Sequence, residues 1–265
     1  MKGIFLLFDS GTRPGREALR KFVDSNRVTS LTHDPARKPS LHVVGAQDAQ
    51  SSVADASDET LKQPFQWLEL LRDGLTFDLE GLAPGEGVSI PHAEHFFDIK
   101  SETIGPGTEA LRLAAGMHLS GAEGSLPVIR GMMGLARDLV KHFEHIKAVV
   151  WPPSASAIGR RFFESTATAW LEGGAFPALG LTAFRKTIDG GLQSVGLDFL
   201  IGQELRIEPG LAADEVAATR LGVRLINQLV HTGRVESREE VIGPQGDRLQ
   251  LEPSVNGKFI RLWNT

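Results

Sequence analysis

The chain has neither cysteine nor tyrosine among its 265 residues. Without Cys there is no disulfide, thiolate nucleophile, iron–sulfur cluster or cysteine zinc site, a usage that fits a reducing compartment. Without Tyr there is no phenolic acid or base, and the Tyr-rich surface common at protein interfaces is not available. Long apolar runs are missing too. The N-terminal run Ile4-Phe5-Leu6-Leu7-Phe8 stops at Asp9, too short for a signal-peptide core, and nothing later approaches the ~20 apolar residues of a spanning helix. The expectation is a non-exported, cytoplasmic chain with no membrane association.

An excess of positive charge is also lacking. The 28 Lys and Arg face 33 Asp and Glu, for a net charge of −5, so no general field draws nucleic acid or an anionic membrane, and the expected partner is a protein or a small anion. The common motifs fail as well. The only Gly-Lys pair, Gly257-Lys258, is followed by Phe259, which excludes a P-loop, and the G-x-S-x-G, S-x-x-K and H-E-x-x-H signatures are absent. Any chemistry falls to Ser, Thr, His, Asp, Glu, Lys and Arg, and no cofactor is called for.

What is present is an ordinary globular composition, 41% hydrophobic with 29 glycines, long enough to bury a core without staples. Residues 3–9 read as a buried strand, and Ser10-Gly11-Thr12-Arg13-Pro14 turns it into a helix carrying Leu19, Phe22 and Val23 on one face. A strand is expected at 40–45. The Asp-, Ser-, Ala- and Gln-rich tract from Ala46 to Lys62 lacks apolar periodicity and reads as a mobile loop. Asp73-Gly74 between two apolar runs predicts a hairpin with a type I′ turn, whose central residues need positive φ. Asp189-Gly190-Gly191 predicts a second, leading into a strand in which Val195, Leu197, Phe199 and Ile201 alternate.

Helical spacing runs from Ser125 to Phe143, from about Ser156 to Glu172 and from about Ala212 to Thr232. Short strands are expected from Lys147 to Trp151 and from Lys258 to Trp263. Hairpins mixed with single helices predict an α+β fold: mixed, largely antiparallel sheets with helices packed on them, as two ferredoxin-like halves. The Gly- and Pro-rich stretch 84–108 suggests a boundary near residue 105, giving halves 1–105 and 106–265.

Three constellations carry chemistry. His92, His95 and Asp98 have metal-ligand residue types and would serve a Zn²⁺ or Mn²⁺ hydrolase if the segment were helical, but Pro91 and the run His95-Phe96-Phe97 favour extended geometry, which sends His92 and His95 to opposite faces. His142 and His145 repeat the pattern at a helix C-terminus, where a cationic His complements the dipole. At the strand-to-helix junction 151–161, Ser154, Ser156, Arg160 and Arg161 could bind a small anion on free helix amides, or merely cap the helix. Gly105-Pro106-Gly107-Thr108-Glu109-Ala110 matches a dinucleotide fingerprint by letter, yet Pro106 removes an amide donor.

The strings FDLEGLAPGEG (77–87), AVVWPPSAS (148–156), WLEGGAFPALGLTAF (170–184) and GLDFLIGQELRIEP (196–209) resemble a bacterial family catalogued only as a domain of unknown function. The resemblance implies a bacterial cytosolic protein of mixed α/β structure and brings no activity or catalytic residue. The reading of the sequence is therefore a non-enzymatic binding or protein-interaction protein, with a metal-dependent hydrolase at His92, His95 and Asp98, or an anion-binding protein at 151–161, as alternatives.

Overall fold

A computed structural model of the chain describes residues 2–35 and 67–264. The expected strand at 40–45 and the Ala46–Lys62 tract lie outside the described residues. The fold is α+β, built on two mixed, mostly antiparallel sheets. No helix among the described residues is long and apolar enough to cross a membrane.

The first sheet takes β1 (Ile4–Asp9), β2 (Thr29–His33), β3 (Trp67–Arg72), β4 (Leu75–Glu80), β5 (His95–Phe97), β6 (Thr108–Ala115), β7 (Ile146–Trp151) and β8 (Ser156–Gly159). Their spatial order is β2-β3-β4-β6-β1-β7-β8-β5. Helix α1 (Arg16–Ser25) follows β1, α2 (Leu126–His142) joins β6 to β7, and α3 (Arg160–Leu171) follows β8. The run β7-β1-β6-β4 is antiparallel throughout and, with α1 and α2 on one face, has the split β-α-β connectivity of a ferredoxin-like layer.

β1 is apolar at every position from 4 to 8 because it is covered on both faces. Ile4, Leu6 and Phe8 face the helices with Leu19, Phe22, Ile129 and Leu139, while Phe5 and Leu7 sit on the opposite face under Val88, Ile90, Ile99 and Ile104. The Asp73-Gly74 hairpin forms as expected, with φ of 51° and 78° at its two central residues. The boundary expected near residue 105 falls inside this sheet, since β1 pairs on both sides with strands from beyond it, β6 and β7.

The second sheet contains β9 (Ala183–Lys186), β10 (Leu192–Val195), β11 (Glu204–Ile207), β12 (Glu239–Ile242), β13 (Arg248–Pro253) and β14 (Phe259–Asn264), in the order β12-β13-β14-β11-β10-β9. It is connected differently from the first: β11 leads through the short turn α6 (Pro209–Ala212) and the long helix α7 (Glu215–Thr232) to the β12-β13-β14 meander, which returns β14 parallel to β11. Helix α7 lies so close on the inner face that a Cβ at Gly222 would stand 2.6 Å from the Phe184 ring. Asp214 caps it, accepting hydrogen bonds from the Val216 and Ala217 amides.

One expected strand is not there. β10 ends at Val195, because Gly196 turns away with φ +91°, and Asp198–Ile201 forms the helical turn α5. The alternation of Val195, Leu197, Phe199 and Ile201 is a coincidence of that turn: Leu197 is buried and Phe199 packs edge-on against Trp151 at 5.5 Å. This contact joins the sheets. Trp151 also donates its indole N–H to the carbonyl of Leu181 in the short turn α4 (Ala178–Leu181), 2.9 Å away, and a single apolar core runs from Ile4 through Trp151 to Leu262.

Candidate functional site

Of the residues proposed from sequence, Ser154, Ser156 and Arg160 take part in the packing of the fold. Ser156 begins a strand, not a helix, so α3 starts only at Arg160 and neither serine stands at its N-terminus. Both serines are fully buried. Ser154 Oγ donates to the Gly180 carbonyl (2.9 Å) and lies 2.7 Å from Ser156 Oγ. Arg160 donates to the Phe143 and Ile146 carbonyls at 2.7 and 3.1 Å, closing the end of α2, and Arg161 is exposed. Ser154 and Ser156 hold the β7–β8 turn to α4, and Arg160 holds α2 to α3.

The segment 91–100 alternates in burial, with His92 and Asp98 exposed and His95 half-buried in β5. Among the described residues no group of three or more His, Asp and Glu is close enough to hold a metal ion. Burial pushes the His95 imidazole below its ordinary pKa and Arg185 adds to the effect, against Glu94. His142 packs against Phe22 and Phe143 at 5.2 and 4.7 Å. Gly105 and Gly107 lead into β6 without a preceding strand and following helix, so the fingerprint lacks its structural context.

A cleft that no motif announced lies on the second sheet. The β10–β11 ladder has only two pairs, Leu192↔Ile207 and Gln193↔Arg206, before β10 leaves at Gly196. A Cβ at Gly196 would come within 2.9 Å of the Pro153 backbone, so the departure is fixed by the joint between the sheets. Side chains then replace the ladder. The Leu205 amide donates to Ser194 Oγ (2.7 Å), the Ser194 hydroxyl donates to Glu204, and the Glu204 carboxylate accepts from the Gly196 (2.7 Å) and Leu197 (3.3 Å) amides. Burial pushes the Glu204 carboxyl up to about 7. The Ser194 and Gly196 hydrogen bonds oppose the rise, and the Asp198 carboxyl, hydrogen-bonded to it, reinforces it.

Beside this pair opens a cavity of about 470 Å³, lined among others by Arg185, Gln193, Asp198, Glu204, Lys258 and Phe259. A neighbouring cavity of about 600 Å³ shares Arg185 and Gln193 with it. Most cations on this side are spent: Arg206 pairs with Asp189 and Glu208, Arg261 with Glu208 and Lys186 with Glu215. Arg185 and Lys258 have no ion pair among the described residues. Gln193, only 8% exposed, makes no side-chain hydrogen bond among them. Its amide borders both cavities.

A third cavity, of about 410 Å³ near the ends of α1 and α2, is a different case. Its Asp138 accepts from Arg72 (2.5 Å), Arg137 (2.7 Å) and Asn26 (3.3 Å). Burial pushes that carboxyl up, but these donors outweigh it and hold it below the usual range.

The Asp189-Gly190 turn was legible in the chain, but the cleft was not, since it requires β10 to end at Gly196 and Lys258 to arrive beside β11 through a parallel pairing. Comparison with protein-family models, curated proteins and solved structures finds no match. The resemblance noted above therefore rests on its four strings alone.

Proposed function

We propose that this is a non-enzymatic binding protein of a bacterial cytoplasm, and that its ligand is a small molecule whose anionic group is held by Arg185, Lys258 and the Gln193 amide. The observation that carries the reading is the set of uncommitted polar groups around one cavity: two exposed cations without ion pairs and the Gln193 amide without a side-chain hydrogen bond among the described residues, on a sheet whose neighbouring cations are paired. Charge-assisted hydrogen bonds to such donors are the strong kind. A cavity of this size suits a metabolite-sized ligand.

The test is a thermal-shift titration with acetate and with inorganic phosphate against sodium chloride at matched ionic strength. At least one anion should raise the melting temperature in a saturable way, through binding to the folded state. The rise should vanish in Arg185→Met/Lys258→Met. Equal responses of wild type and variant would mean general salt effects and would sink the assignment.

A further inference from the structure

The cleft is not simply cationic. Arg185 stands on β9 and Lys258 immediately before β14, and the two strands between them are β10 and β11. Gln193 and Glu204 lie on those middle strands, and Asp198 comes from the connection between them. With strands roughly 5 Å apart, the two cations flank a central pair of carboxyls. A ligand with only negative groups would satisfy the flanks and meet repulsion in the middle.

We infer that the ligand of this cleft is an amino-acid-like zwitterion, with its carboxylate on Arg185 or Lys258 and its ammonium against the carboxyls of Asp198 and Glu204. The inference rests on the reading of the cleft as the ligand site and adds the second charge. The charged groups that border the cavity with Glu204 are Asp198, Arg185 and Lys258. Burial, reinforced by the neighbouring Asp198 carboxyl, raises the Glu204 pKa to about 7, so this carboxyl is short of a compensating positive charge. An ammonium offers that compensation with more than one donor. Asp198 is exposed and within reach of an incoming group, whereas Glu204 is anchored by two backbone amides.

The test compares matched pairs by calorimetry at pH 7: glycine with acetate, γ-aminobutyrate with butyrate, and 6-aminohexanoate with hexanoate, which vary the distance between the two charges. In at least one pair the amino acid should bind ten-fold or more tightly than its deaminated partner. Asp198→Asn, an exposed substitution with its fold checked by circular dichroism, should reduce that ratio at least three-fold while leaving the affinity for the deaminated acid within two-fold or improved. If the deaminated acids bind as well as the amino acids in all three pairs, the zwitterion is wrong and the anion cleft stands. If neither kind binds wild type, both readings fall. A preference for the amino acid that survives Asp198→Asn unchanged would overturn the role given to the carboxyl pair.

Discussion

Around the eight-stranded sheet Arg13, Arg72 and Arg160 all donate to partners built into the fold, whereas beside the six-stranded sheet Arg185 and Lys258 line a cleft without an ion pair among the described residues. Arg13 reaches Glu109 at 3.1 Å and the carbonyls of Gly81 and Gly85. Arg72 reaches Asp138 at 2.5 Å. Arg13 and Arg72 are both largely buried, and carboxylates and carbonyls of the fold compensate most of their desolvation, although Arg72 Nε has no hydrogen-bond partner. The difference teaches how to separate a cation that holds the chain from one available to a ligand, which residue type and sequence position alone do not reveal.

The comparison is tested most severely where the sheets meet. Trp151 is 1% exposed and packs against Phe199, so Trp151→Ala should lower unfolding stability by about 3–5 kcal/mol. Trp263, half-buried with Arg261 stacked on it at 4.9 Å, should lose only about 1 kcal/mol on the same change. Urea denaturation of the two variants side by side checks this, and equal losses would abolish the distinction between joint and outer face. Arg13→Met comes next. It strands the Gly81 and Gly85 carbonyls, at about 2–3 kcal/mol.

A pH scan separates the regions in another way. The Glu204 pKa rises from 4.5 to about 7 on folding, so the folded chain holds this proton more tightly than the unfolded chain. The corresponding stability is complete below pH 4.5 and is lost as pH rises to about 7, after which the profile flattens. Between about pH 5 and pH 8 the loss should be about 2 kcal/mol, discounted for partial solvent access. Glu204→Gln should remove most of that slope. Asp138 works in the opposite sense: its lowered pKa gives stability present at neutral pH and lost on acidification. A wild-type profile flat across that range would refute the placement of Glu204.

Much of the fold could be read in the chain because local chemistry decided it. Asp73-Gly74 supplied the two positive φ values of a I′ turn, and the uninterrupted run 4–8 signalled a strand covered on both sides. Replacing Gly74 by Val should cost roughly 1 kcal/mol of stability, read from the denaturation midpoint and arising wholly through the backbone, because a Cβ there meets nothing within 4 Å. The site was hidden for the converse reason. Ser154 and Arg160 carry the residue types of an anion site but are consumed by Gly180, Phe143 and Ile146, contacts 14 to 26 residues away. Gln193 and Lys258 are far apart in the chain and meet only through the β11–β14 pairing, which no local pattern encodes.

The smallest expected effect is the most decisive for the comparison. Arg185→Met and Lys258→Met remove exposed side chains that make no ion pair among the described residues, so each should leave stability within about 0.5 kcal/mol of wild type. Relief of the unpaired positive charge offsets the small loss of packing along each aliphatic stem. Arg160→Met is the control from the first sheet: it frees the carbonyls at the end of α2 and should cost about 1–2 kcal/mol. Urea midpoints at neutral pH in low salt, where surface charge acts over the longest range, are the measurement. If Arg185→Met or Lys258→Met destabilised the chain as much as Arg160→Met, those cations would belong to the scaffold, and the cleft would lose its claim to a ligand.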